Sequence, residues 1–351
     1  MRIGIPKEIK TYEARVALIP AACAELIQHG HEVLIQTQAG LLAGYPDEQY
    51  QQVGCKLTET ADQTYSSAQI IVKVKEPQTE EVQMLGPKQR LFSYLHLAAE
   101  PTLLASLRKS GVTAIGFETV QVNKQLPLLA PMSDIAGRLS VQIGATLLQH
   151  HHGGRGVLLG GLAGTERGQV VILGAGVAGG HAAIVAQALG ANVTIFDPNR
   201  DKLTQMRALG PNVTGLHANT HDIEAHVQEA DLLVGAVLIP GAKAPKLVSK
   251  ALVEKMNPGS VIIDISVDQG GCIETTRPTS YAEPTFLVND VVHFGVTNMP
   301  GAVPRSASQA LSAALLPYIL RLATADWEKD VALQSGVNVM AGEVLHPALI
   351  S

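Results

Sequence analysis

Residues 170–197 constrain this chain more than any other stretch. Val170-Val171-Ile172-Leu173 reads as an apolar strand, Gly174-Ala175-Gly176-Val177-Ala178-Gly179 as a turn, and an Ala-rich segment follows as a helix. Ala191-Asn192-Val193-Thr194-Ile195-Phe196-Asp197 then reads as a second strand with an acid at its end. Strand, Gly-x-Gly-x-x-Gly turn, helix, strand and acid come in the order a dinucleotide site needs. Gly174 permits the tight turn. Gly176 lets backbone approach a pyrophosphate with no Cβ in the way, and Gly179 lets the helix pack close to the sheet. The helix start offers N–H groups and the positive end of a dipole to phosphates. A carboxylate at Asp197 accepts hydrogen bonds from a ribose 2′-hydroxyl and repels a 2′-phosphate, so the expected cofactor is NAD rather than NADP. Arg200 and Lys202, just downstream, soften that preference if they reach the ribose, and a solvated Asp-Pro-Asn turn is the plainer reading of Asp197.

At 351 residues the chain exceeds one ordinary core, so two domains are expected. Apolar residues make up 46% and charged residues 16%, which suits a folded globular protein. Aromatics are only 4%, while small and branched aliphatics abound, as in parallel sheets flanked by closely packed helices. A net charge of −5 without a basic block argues against nucleic acid as a partner. The 3 cysteines, Cys23, Cys55 and Cys272, have no paired spacing and fit a reducing compartment. The N-terminus carries no apolar signal region, and Ala310–Leu320 contains Pro317 and is too short to span a bilayer. A cytoplasmic protein with no membrane partner is the expectation.

Strand-like and helix-like runs alternate before residue 130. Arg2–Ile5, Glu32–Gln36, Ile70–Val74, Leu91–Leu95 and Thr113–Phe117 read as strands, and Ile19–His29, Asp47–Val53 and Thr102–Ser110 as helices. Such alternation implies a parallel sheet wound on both faces, here without a Gly-rich phosphate turn. Ser133 and Asp134 are good helix starters for the periodic run Ile135–Leu148. Later strand candidates are Leu232–Val237, Val261–Ile265 and His293–Val296, and Ser306–Thr324 reads as a helical tail. The fold class expected is α/β, with two doubly wound Rossmann-like domains and a ligand cleft between them. The first domain is discontinuous: residues 1–133 plus 302–351 form a substrate domain, and 134–301 the NAD-binding domain. The loop Gly153–Gly168 lacks the Gly-Lys-Ser/Thr of a P-loop. His150-His151-His152 cannot all face one ion, and no nearby carboxylate or Cys completes a site, so no metal is expected.

Four segments outside the glycine turn offer chemistry. Arg15, in Glu13-Ala14-Arg15, can grip a carboxylate bidentately, or be a solvated charge at a helix start. Val72-Lys73-Val74-Lys75 puts two lysines on one face at the C-terminal end of a strand, where open α/β sheets bind ligands; an edge or surface charge is the alternative. His96, in Tyr94-Leu95-His96-Leu97, ends an apolar strand and suits general acid–base work, or is a satisfied core histidine. Asp268, in Ser266-Val267-Asp268-Gln269-Gly270-Gly271, leaves a strand where it could face a cleft, or simply forms a turn before glycine.

Long strings throughout the chain then point one way. They are Met-Arg-Ile-Gly-Ile-Pro-Lys-Glu-Ile-Lys (1–10), Arg-Val-Ala-Leu-Ile-Pro (15–20), Val-Lys-Val-Lys-Glu-Pro (72–77) and Tyr-Leu-His-Leu-Ala (94–98). Gly-Ala-Gly-Val-Ala-Gly (174–179), Gly-Ala-Val-Leu-Ile-Pro-Gly-Ala-Lys-Ala-Pro (235–245), Asp-Gln-Gly-Gly (268–271) and Asn-Met-Pro-Gly-Ala-Val-Pro (298–304) continue the series. With them the chain resembles the alanine dehydrogenase/transhydrogenase family. The resemblance implies reversible, NAD-dependent oxidative deamination of L-alanine to pyruvate and ammonia by a homohexamer. It implies that Arg15 and Lys75 bind the substrate carboxylate and carbonyl oxygen, with His96 as acid–base and Asp268 as its partner. For the coenzyme it implies Ser133, Gly174, Gly176, Val177, Ala178, Gly179, Asp197, Lys202, Val237, Leu238, Ile265, Ser266, Val267, Asp268, Arg277, Val296 and Thr297. Asn298 and Met299 would lie near the nicotinamide. Members often carry Arg where Lys202 stands, which keeps the charge but not the planar fork. His217–His221 departs from the usual Ser-containing pattern, so no adenosine contact is assigned there. Rival readings are a transhydrogenase NAD(H) subunit, a non-catalytic NAD-responsive protein and an opine-type dehydrogenase of larger amino acids. Arg15, Lys75 and His96 together argue against the first two, and the third needs a wider cleft.

Overall fold

The structure, a computed structural model, describes residues 1–237 and 244–350, without the side chains of Asp268 and Gln269. Its strands, in chain order, are β1 (Arg2–Ile5), β2 (Glu32–Gln36), β3 (Lys56–Thr58), β4 (Ile70–Val72), β5 (Arg90–Ser93), β6 (Thr113–Gly116), β7 (Gln169–Leu173) and β8 (Asn192–Asp197). They continue with β9 (Val213–His217), β10 (Leu232–Gly235), β11 (Val261–Asp264), β12 (Thr285–Val288), β13 (Val291–Phe294), β14 (Val337–Met340) and β15 (Glu343–Val344). The chain divides into two compact units, one of Met1–Met132 with Gly301–Ser351, the other of Ser133–Pro300. Each is Rossmann-like.

In the first unit the sheet order is β15-β14-β6-β5-β4-β1-β2-β3. β1 to β6 pair in parallel, whereas β14 joins β6, and β15 joins β14, antiparallel. The order reverses between β1 and β4, so the chain leaving these strands opens a crevice at their C-terminal ends. The helix Pro304–Leu322 returns to this unit and buries Ala307, Leu311, Leu315, Ile319 and Leu322, an apolar stripe at helical spacing. From the same helix, Ser308 and Ser312 accept the N–H groups of Val16 and Ile19 at 2.9 and 3.1 Å, which pins the segment carrying Arg15.

In the second unit the order is β12-β13-β11-β10-β7-β8-β9, parallel except for β12. Its reversal falls between β7 and β10, beside the glycine turn. A core of Val171, Leu173, Phe196, Leu233, Ile262 and the facing helix residues Ile223, Val227 and Leu252 fills one side.

The sequence reading placed most of these strands within two residues but passed over β3, β9, β12, β14 and β15. Four of these (β3, β9, β12 and β15) are sheet edges with mixed burial, where alternation of polar and apolar residues is weak. The helix expected at Ile135 begins at Ala130, so Ser133 and Asp134 lie inside its first turns instead of capping it. Early entry costs no capping carboxylate: Asp134 pairs instead with Arg138 at 2.5 Å and His181 at 3.1 Å.

Candidate active site

The turn after β7 has the geometry its glycines foreshadow. Gly174 sits at φ +99°, and a Cβ there would lie 2.7 Å from the Ala236 carbonyl oxygen. At Gly179 a Cβ would stand 1.8 Å from the Gly174 carbonyl oxygen, so the helix Val177–Ala188 can lie this close to the turn only with glycine. Among the described residues, a Cβ on Gly176 would meet nothing within 4 Å. Gly137 presses equally close, with Cβ space 2.0 Å from the Ala178 carbonyl oxygen, so a second helix braces the first turn of the glycine helix. An open approach to unpaired N–H groups at a helix start fits a phosphate.

Asp197 ends β8 and is 6% exposed, so it is not a solvated turn. Its Oδ2 accepts the Ala175 N–H at 2.8 Å and its Oδ1 the Asn199 N–H at 2.8 Å. The carboxylate thus ties the glycine turn to the next strand. Two oxygens carry about four acceptor sites, which leaves capacity for a ribose hydroxyl. Lys202 Nζ stands 3.6 Å from Oδ2. Val237 is half-buried after β10, next to the turn; Leu238 lies outside the described residues. Ile265, Ser266 and Val267 form a short 3-10 segment after β11, with Ser266 and Val267 buried. The segment also carries Asp268, whose side chain is outside the described set. Arg277 packs its guanidinium over Phe286 at 4.3 Å. Val296 bridges Thr279, Thr297 follows, and Asn298 has φ +62°. Met299 is buried, its carbonyl accepting the Tyr281 hydroxyl at 2.9 Å. Ser133 is half-buried in its helix.

In the first unit the candidate residues follow the C-terminal ends of β1, β4 and β5. Arg15 is 2% exposed, not a solvated charge. Glu13 engages its Nε at 2.6 Å and Nη2 at 2.5 Å, and Nη1 lies 3.1 Å from the Met132 sulfur. Burial works against the guanidinium charge, but Glu13 outweighs it and holds the Arg15 pKa above its ordinary value. The two lysines part company. Lys73 is fully buried between Glu8 and Glu81, 3.1 Å from each, and donates to the Lys75 carbonyl at 3.1 Å. It is therefore neither an edge nor a surface charge. One ammonium between two carboxylates leaves a negative charge in excess, and burial accordingly raises Glu8 even beside Lys73. Lys75 keeps its side chain largely covered, 3.4 Å from Glu76, which also pairs with Lys10.

His96 is exposed and not a core histidine. Its backbone is left-handed, φ +49°, and its ring lies parallel to Tyr94 at 5.9 Å between centroids. The buried Tyr94 donates to the Leu128 carbonyl at 2.6 Å and feels the charge of Arg15, so it links the surroundings of Arg15 and His96. A small crevice lined by Glu8, Glu13, Arg15, Gln38 and Leu42 opens beside Arg15; neither Lys75 nor His96 lines it. In the second unit a cavity of about 210 Å³ lies along the N-terminal half of β7, at Gln169 and Val170, away from the turn.

Four acids escaped the sequence reading: Glu8, Glu13, Glu118 and Asp264. Each holds backbone near a candidate residue. Asp264, 1% exposed, accepts the Ser266 N–H at 3.0 Å and the Thr276 hydroxyl at 2.8 Å, shaping the segment that carries Asp268; burial raises its pKa against these bonds. Their signal in the sequence is an acid one to three residues past a strand or before a candidate, which is too common to single out. Among the described residues, no cluster of three or more His, Cys, Asp or Glu could hold a metal, and no helix is long and apolar enough to cross a membrane.

Residues 4–136 match the family described as alanine dehydrogenase/PNT, N-terminal domain, and residues 140–347 match its C-terminal domain. An alanine dehydrogenase from Mycolicibacterium smegmatis is 47% identical over 355 residues, covering 99% of this chain and 96% of that protein. A solved L-alanine dehydrogenase is 52% identical with TM-score 0.96, covering 99% of this chain and 98% of that one. A transhydrogenase from Sinorhizobium meliloti shares the fold at TM-score 0.85 with 24% identity, covering 99% of this chain and 100% of that one. On likeness that runs the length of both units, the chain belongs to the alanine dehydrogenase/PNT family.

Proposed function

We propose that this protein catalyses the reversible oxidative deamination of L-alanine with NAD: L-alanine, NAD⁺ and water give pyruvate, ammonium, NADH and a proton. Kinship with alanine dehydrogenases along the whole chain carries the reading. The second unit holds the coenzyme, and the first holds the amino acid. Bound NAD supplies the acceptor for the hydride on the α-carbon. Arg15 pairs with the substrate carboxylate, its orientation set by Glu13. Lys75 donates to the oxygen of the carbonyl that forms. His96 moves the proton at that oxygen, with Asp268 as its partner, and Asn298 and Met299 border the reacting end of the coenzyme. Ser133, Val237, Leu238, Ile265, Arg277 and Lys202 complete the coenzyme contacts.

An assay following NADH absorbance across L-alanine, glycine, L-serine and larger L-amino acids is expected to show L-alanine fastest, with no partner protein added. A clear preference for a larger amino acid would refute the substrate assignment. The preference for NAD has its own test. Asp197→Ala removes the ribose acceptor and the bond to the Ala175 N–H together, and leaves Lys202 unopposed. We expect kcat/KM with NAD to fall about tenfold and the preference over NADP to shrink by at least that factor. If the variant discriminates against NADP as before, another group reads the ribose.

A further inference from the structure

We propose that Glu118 is a positioning residue for the acid–base step, holding the left-handed turn that presents His96. The inference rests on the acid–base reading of His96 given above. β5 and β6 run side by side with Ser93 opposite Gly116, so the segments carrying His96 and Glu118 leave the sheet as neighbours. The Glu118 Oε1 accepts the His96 N–H at 2.7 Å and the Leu95 N–H at 3.2 Å, and its Oε2 lies 3.3 Å from the same Leu95 N–H. One carboxylate therefore gathers two consecutive peptide N–H groups, which is what a left-handed residue at φ +49° needs to be the preferred conformation. A residue with a Cβ seldom rests there unaided. Without that acceptor the peptide relaxes toward extended geometry, and the imidazole leaves its parallel seat on Tyr94.

The same device recurs at the other two substrate residues. Glu13 accepts the Arg15 N–H at 3.1 Å. Glu8 accepts the Val74 N–H at 2.5 Å and the Lys75 N–H at 3.4 Å, while Lys73 takes the Lys75 carbonyl. Glutamates thus grip the backbone of all three residues. Glu118 is the one whose target has an exposed side chain and a strained backbone, so its loss should act on geometry more than on stability.

The test uses the full chain with Glu118→Ala, Glu118→Gln and Glu118→Asp, alone and with His96→Ala, reading kcat, KM for L-alanine and NAD affinity. Glu118→Ala is expected to lower kcat roughly 10- to 100-fold, the scale of a misplacement near 1 Å, with KM and NAD affinity within about threefold. Gln keeps an acceptor oxygen at the same reach and should recover kcat to within about threefold; Asp falls one methylene short and should resemble Ala. On top of His96→Ala, removing Glu118 should cost nothing further. A full additional loss in the double variant overturns the proposal. So does an Asp variant that outperforms Gln, since charge and not reach would then matter, and this ordering still decides if the Ala variant does not fold. An unchanged kcat in His96→Ala alone is a different failure: it removes the acid–base reading, and this proposal falls with it.

Discussion

His96→Ala is expected to lower kcat by about three orders of magnitude while leaving NAD binding nearly intact, the range set by loss of a positioned acid–base group. The side chain is exposed, so truncation opens no core cavity and the protein should melt near its normal temperature. The coenzyme contacts proposed at the turn Gly174–Gly179 do not include the imidazole. Steady-state rates with L-alanine, together with a fluorescence titration of NAD, separate the two quantities. A rate within a few-fold of normal hands the proton to another group, and equal losses in turnover and NAD affinity point to disruption of the fold.

Two glycines of one turn should fail in different ways. In Gly179→Ala the new methyl would sit 1.8 Å from the Gly174 carbonyl oxygen and 3.3 Å from the Ala236 Cβ. The helix must then move off the sheet, at a cost of about 1–3 kcal/mol or more, and its N–H groups move with it. Thermal stability and NAD affinity should both drop, the affinity about a hundredfold. Gly176 has φ −74° and, among the described residues, nothing within 4 Å of where its Cβ would stand. Gly176→Ala should therefore melt almost normally and still lose NAD affinity by about a hundredfold, because the only thing the methyl displaces is the ligand. Calorimetric melts and NAD titrations of both variants read this contrast. Normal NAD binding by Gly176→Ala would mean that no phosphate approaches there.

How much of this was legible in the chain depends on how local the cause is. The glycine turn was readable because Gly174 and Gly179 answer constraints from residues close in sequence or on the adjoining strand, and Gly176 sits at a fixed spacing between them. Asp197 was readable as an acid at a strand end, but its bond to the Ala175 N–H was not: that contact joins two strands and needs their parallel register, Leu173 beside Phe196. Lys73 and Lys75 looked alike in sequence. Only the arrival of Glu8 from the end of β1, and of Glu81 from a following helix, made one of them a buried structural charge. Edge strands such as β3 and β12 escaped because half-exposed strands need not alternate cleanly.

By itself the sequence determined the alternation of strands and helices, the glycine turn, and the residue types able to grip a carboxylate and move a proton, because periodicity, glycine placement and side-chain chemistry are local properties. The tertiary structure decided which charges are buried, that His96 is exposed in a left-handed backbone, and that glutamates hold the backbone of Arg15, Lys75 and His96. Burial and hydrogen-bond partnership depend on which segments the sheet order brings side by side, and a parallel sheet joins residues far apart in the chain.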